Sequence, residues 1–136
     1  MMFPLKLPVG IENFEKIRTR GFYYVDKTGL IKEMLYNWGE VNLFIRPRRF
    51  GKSLSMNMLK TFFEYGHDTT LFEGLEIAGE KELCRRYMGN FPVIAITMKD
   101  IESRDYEGAR AAMCSVIGNE ALRFQFLMES EKLTEK

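Results

Sequence analysis

Between Arg46 and Ser53 the chain reads RPRRFGKS, a stretch whose residue types and spacing suit a defined chemistry. Loops that cradle phosphate follow the pattern G-x-x-x-x-G-K-[ST], between a strand and a helix. Gly51, Lys52 and Ser53 stand in register with the last three positions, and Arg46 replaces the first glycine. Glycine at 51 lets the backbone approach phosphate oxygens with no Cβ in the way. The N–H groups of Gly51, Lys52 and Ser53 then point at the anion, helped by the positive end of the following helix. The Lys52 ammonium can bridge β- and γ-phosphates, and the Ser53 hydroxyl can coordinate Mg²⁺.

Two departures have consequences. Arg46 requires the loop to begin with an ordinary negative φ. Pro47 fixes its own φ and donates no N–H, so the start of the loop is stiffer and offers one amide fewer. Arg48 and Arg49 either contact phosphate or face solvent. Arg46, Arg48, Arg49 and Lys52 also place four basic residues in seven positions, enough to hold a nucleic-acid backbone electrostatically. The alternatives to a nucleotide site are therefore such a nucleic-acid contact, or a basic turn leading into a helix.

The elements around the loop decide how well the pattern is placed. Ile11–Arg20 carries Ile11, Phe14 and Ile17 at helical spacing and stops at Gly21. FYYV (22–25) reads as a short extended run, after which Asp26 can cap a helix with Leu30, Ile31, Met34 and Leu35 on its apolar face. VNLFI (41–45) has the composition of a buried strand. After the loop, Leu54, Met58, Leu59, Phe62 and Phe63 recur every three or four residues, as in a helix packed on a sheet. A polar connector leads to a short helix around Glu80–Tyr87, FPVIAITM (91–98) reads as a second strong strand, and Tyr106–Met128 as a long helix. That last helix would carry Ala109, Met113, Val116, Ile117, Ala121, Phe124 and Leu127 on one side. Strands separated by helices imply right-handed crossovers and a parallel sheet.

Length and composition bound the alternatives. The 136 residues are the size of one domain, with 46% hydrophobic and 29% charged residues and a net charge of +1. Basic character is therefore local to the loop. The apolar runs are too short to span a bilayer and the N-terminus lacks the core of a signal peptide, so a cytoplasmic location and no membrane partner are expected. Cys84 and Cys114 are not spaced as a metal knuckle or redox pair and read as free, partly buried thiols. The single histidine, His67, excludes a histidine-rich metal site.

Three segments, GFYYVDKTGLI, LFIRPRRFGKSLSMNML and FPVIAITMKD, resemble in order and spacing the predicted AAA-ATPase-like domain that forms the N-terminal part of many uncharacterised bacterial proteins. RPRRFGKS is the usual form of the loop in that family. The resemblance runs from about Leu7 to the C-terminus. It implies an α/β fold, a P-loop NTPase-like three-layer sandwich with a parallel sheet, of which residues 1–136 form the N-terminal part. It implies ATP with Mg²⁺ as cofactors, bound by Arg49, Phe50, Gly51, Lys52, Ser53 and Leu54, with Ser53 on the metal. Asp26 and Lys27 recur in the family, and either line the nucleotide pocket or, for Asp26, cap a helix.

Hydrolysis in such ATPases needs an acidic strand for Mg²⁺ and the attacking water. The resemblance places that strand after the long helix that ends this chain. Asp100 is the local candidate, and it reads better as the end of the preceding strand. ATP hydrolysis is therefore expected to be weak or absent. The chain is expected to be an N-terminal fragment whose exposed strand edges promote self-association, or a remnant without function. Longer family members often carry a C-terminal region resembling PD-(D/E)XK nucleases; none of its motif lies here, and nucleic acid is the partner it suggests for the full-length protein. Tyr23, Tyr24 and Trp38 could stack on adenine but read first as core, and Arg104 and Arg110 read as solvated.

Overall fold

Helix α1 (Phe14–Thr19) starts at Asn13, whose side chain accepts the Lys16 N–H, and ends just before Gly21, at φ +66°. Helix α2 (Gly29–Asn37) buries Ile31 and Leu35; α3 (Lys52–Phe63) buries Met58, Leu59, Thr61 and Phe62; α4 (Lys81–Tyr87) is a short surface helix. Two 3₁₀ turns, Thr69–Phe72 and Glu76–Gly79, occupy the connector between α3 and α4. Helix α5 (Tyr106–Arg123) is followed by a third 3₁₀ turn, Gln125–Glu129. The computed structural model describes residues 4–99 and 101–131. The chain divides into two compact units, Met1–Val93 and Ile94–Lys136.

The first unit has an aromatic centre. Phe14, Phe62 and Phe72 are almost fully buried, with Phe14 stacked on Phe72 at 4.9 Å and Phe62 edge-on to Phe72 at 5.3 Å. Ile31, Leu35, Met58, Leu59, Leu71 and Ile77 complete this core. Polar contacts set its register. The Asn57 side chain of α3 accepts the Phe14 N–H of α1 at 2.7 Å. The Arg18 guanidinium donates to the carbonyls of Leu71 and Glu73.

The parallel sheet expected from the sequence is not there. Among the described residues there is no strand, and the sole β pairing is an isolated parallel bridge between Glu64 and Phe91. The three-layer sandwich is therefore corrected to an arrangement of helices and 3₁₀ turns. The physical reason is visible in the runs assigned to strands. Val41, Leu43 and Ile45 are 88%, 80% and 74% exposed, and their backbone pairs with no other described segment. In FPVIAITM, Phe91 makes the single bridge, while Ile94, Ile96 and Met98 are exposed. FYYV holds two backbone bonds, Phe22 N–H to the Ile17 carbonyl and Tyr23 N–H to the Lys6 carbonyl, and packs Tyr24 edge-on against Phe14. High β-propensity makes a strand only where a neighbouring backbone completes the ladder.

The second unit has no buried residue on α5. Ala109, Met113, Val116, Phe124 and Leu127 are half-buried, while Ile117 and Ala121 are exposed. The helix stops at Arg123 rather than running to Met128, because the Phe124 N–H turns back to the Ala121 and Leu122 carbonyls.

Candidate functional site

Helices α1 and α5 have side-chain caps at their first turn; α2, α3 and α4 do not, and α3 alone of these begins at a left-handed glycine. The Asp105 carboxylate caps α5 by accepting the Gly108 N–H at 2.8 Å, as Asn13 does for α1. The residue before α3 is Gly51, at φ +75°, and no side chain caps this helix. The N–H groups of Gly51, Lys52, Ser53 and Leu54 donate to no described residue. A twelve-residue helix thus presents open donors and the positive end of its dipole at the GKS tripeptide.

Beside that helix start lies a cavity of about 360 Å³ within the first unit. It is lined by three cations, Lys27, Arg46 and Lys52, by the apolar residues Leu30, Phe44, Phe50, Met56 and Leu59, and by Ser55. No acidic residue lines it. None of the three cations is ion-paired among the described residues. Arg46 donates to the Ile45 carbonyl at 2.9 Å, and the Lys27 Nζ donates to the Phe50 carbonyl at 3.2 Å.

Helical geometry sorts the residues assigned from the sequence. Lys52, Ser55, Met56 and Leu59 stand at i, i+3, i+4 and i+7 of α3 and share its cavity face. Leu54 turns to the core and packs against the buried cluster. Ser53 is half-buried and is not part of the cavity wall. Phe50 and Lys52 do line the cavity; Gly51 forms the turn into α3; Arg49 is exposed at φ +65°. Arg48 is exposed, and Asp100 lies outside the described residues.

Asp26 and Lys27 part company. The Asp26 carboxylate accepts from the Thr28 N–H (2.9 Å) and hydroxyl (2.6 Å) and from the Glu76 N–H (2.7 Å). Partial burial pushes its pKa up, but the hydrogen bonds from Thr28 and Glu76 and the charge of Arg18 outweigh this and hold it below the usual carboxylate value. Buried Thr28 in turn accepts the Ile77 N–H at 3.2 Å. Asp26 is thus a structural residue that ties the start of α2 to the turn Glu76–Gly79. Lys27, between these two anchored residues, is delivered to the cavity.

The other weighed residues lie elsewhere. Tyr24 is in the core, and Trp38, 63% exposed, sits against Tyr87 beside a separate cavity of about 160 Å³. Arg104 and Arg110 are exposed. Cys84 donates to the Ile77 carbonyl, burial pushing its thiol pKa up, and Cys114 is exposed; both are free. The described residues contain no group of three or more His, Cys, Asp or Glu able to hold a metal ion, and no helix long and apolar enough to cross a membrane. The sequence does not assign Leu30, Phe44, Ser55, Met56 or Leu59 to the site, yet all five line the cavity. The i, i+3, i+4 spacing from Lys52 was the available signal for Ser55 and Met56.

Residues 8–136 match a family model described as AAA-ATPase-like, predicted AAA-ATPase. An uncharacterised protein in the vnfD 5′ region of Azotobacter chroococcum mcd 1 is 36% identical over 115 residues, which cover 82% of this chain and 21% of the relative. The chain therefore spans about a fifth of the length of that relative. No solved structure matches. The match over nearly the whole length places this chain in the predicted AAA-ATPase-like family.

Proposed function

We propose that the chain binds the phosphates of a nucleoside triphosphate, ATP in the first instance, at the RPRRFGKS loop. The carrying observation is the cavity walled by Lys27, Arg46 and Lys52 beside the uncapped start of α3. Open backbone donors, a helix dipole and unpaired cations converge there, and all three favour a polyanion. Lys52 takes the β- and γ-phosphates, while the N–H groups of Gly51, Lys52 and Ser53 take the oxygens nearest the backbone. The apolar lining residues, Leu30, Phe44, Phe50, Met56 and Leu59, suit a ring system attached to those phosphates.

The fit for Mg²⁺ is narrower. Ser53 can supply one hydroxyl ligand, but no carboxylate lines the cavity. A bound Mg²⁺ would offset the charge of the phosphates. This chain would hold it through the Ser53 hydroxyl and the bound phosphates. With no acid on the cavity wall to orient an attacking water, hydrolysis by this chain is expected to be weak.

Titration with a fluorescent ATP analogue, with and without Mg²⁺, tests the reading. Saturable binding that Lys52→Ala reduces by about tenfold or more supports it, the loss expected for a charge-assisted hydrogen bond. Unchanged binding in Lys52→Ala overturns it. Binding to DNA that falls steeply with salt and ignores ATP would instead favour the exposed Arg48 and Arg49 as a nucleic-acid contact.

A further inference from the structure

We propose that Lys27 is a second phosphate-binding cation, whose ammonium rests on the Phe50 carbonyl in the free loop and moves to the terminal phosphate of a bound nucleoside triphosphate. This rests on the nucleotide reading above. Lys27 comes from the start of α2, far from the loop in sequence, yet it lines the same cavity as Lys52. Its backbone is held on both sides, by Asp26 bonded to Thr28 and Glu76 and by Thr28 bonded to Ile77. The side chain alone is left to move.

Its position is specific. A Cβ built on Gly51 would meet the Lys27 Nζ at 3.0 Å, so the ammonium lies against the turn into α3. The bond to the Phe50 carbonyl, at 3.2 Å, is the single hydrogen bond it makes among the described residues, although an ammonium has three donors. A neutral carbonyl at that distance is a weaker acceptor than a phosphate oxygen, which makes a shorter, charge-assisted bond. An anion in the cavity therefore draws the ammonium from Phe50, and glycine at 51 leaves room for it. A lysine serving as a clamp for the loop would stay on Phe50 and act equally on every ligand.

ATP and ADP dissociation constants for the purified protein, Lys27→Met, Lys27→Arg and Lys52→Ala separate these roles. Lys27→Met is expected to weaken ATP by about tenfold or more and ADP by less than about threefold, with Lys27→Arg restoring most of the ATP affinity. Equal losses for both nucleotides make Lys27 a clamp and overturn the proposal; so does no loss for either. If Lys52→Ala abolishes binding in that same series, the site stands and the role of Lys27 alone fails. If Lys52→Ala changes nothing, the site fails and takes Lys27 with it. Should Lys27→Met melt the protein, Lys27→Gln keeps a donor for Phe50 while removing the charge, and its ATP-to-ADP ratio decides the matter in the same way.

Discussion

Helices α5 and α3 begin in opposite ways. Asp105 supplies α5 with a carboxylate that accepts the Gly108 N–H, so one donor of its first turn is satisfied from within the chain. Gly51 supplies α3 with nothing but a left-handed turn, and the charged side chains lining the cavity beside it are all cations. A cation near a helix N-terminus is unfavourable, because it meets the positive end of the dipole. Three of them beside an uncapped start make sense together with an anion that is not part of the chain. On the proposed reading, the difference separates a helix end built for stability from one built to receive a ligand.

The strongest way to break the contrast is to cap α3 as α5 is capped. Gly51→Asp puts a carboxylate at the open donors, and its Cβ presses on the Lys27 Nζ. It is expected to weaken ATP binding by on the order of 100-fold, as two charge-assisted hydrogen bonds are replaced, measured by calorimetric titration. Next in size, Asp26→Ala removes the acceptor of three hydrogen bonds and is expected to lower stability by about 1–2 kcal/mol in urea unfolding, the low end being set by its exposure.

That second change carries a pH signature. The folded pKa of Asp26 lies below its unfolded value, so its contribution is fully present above the unfolded value, near about 4. It is lost as pH falls through the folded value. The stability gap between wild type and Asp26→Asn should therefore be constant at neutral pH and close in acid. A gap that widens in acid would contradict the hydrogen-bonded carboxylate.

Removing the cap of α5 by Asp105→Ala should cost about 1 kcal/mol and leave nucleotide affinity unchanged. The smallest effect is expected from Arg48→Ala, which is exposed and does not line the cavity: less than about a threefold change in ATP affinity. A larger loss there would move the site from the cavity to the outer face of the loop.

Legibility in the sequence followed the range of the forces involved. Periodicity placed Ile31 and Leu35 on the buried face of α2, and Met58 and Phe62 on that of α3, because those patterns are local. Gly21 and Tyr106 marked helix boundaries for the same reason. The strands were misread because VNLFI and FPVIAITM carry strand composition, whereas a strand also needs a partner that no local window displays. On α5 the spacing of Ala109, Met113 and Val116 gave an apolar side but not its covering, and Ile117 ended up exposed. At the site, GKS was readable as a tripeptide. The sequence does not separate Lys27 from Asp26, because only the fold shows that one carboxylate is consumed by Thr28 and Glu76 while the neighbouring ammonium reaches Phe50.

The central claim is that the open amides at the start of α3 receive phosphate. Backbone amide chemical shifts recorded during titration with ATP, and with inorganic pyrophosphate as a control lacking the base, test it most directly. Saturable shifts concentrated at Gly51, Lys52 and Ser53 with both ligands, and none at the capped Gly108 of α5, are the predicted result. Shifts that bypass those three amides while ATP still binds, or that spread over Arg48 and Arg49 without saturating, would contradict it.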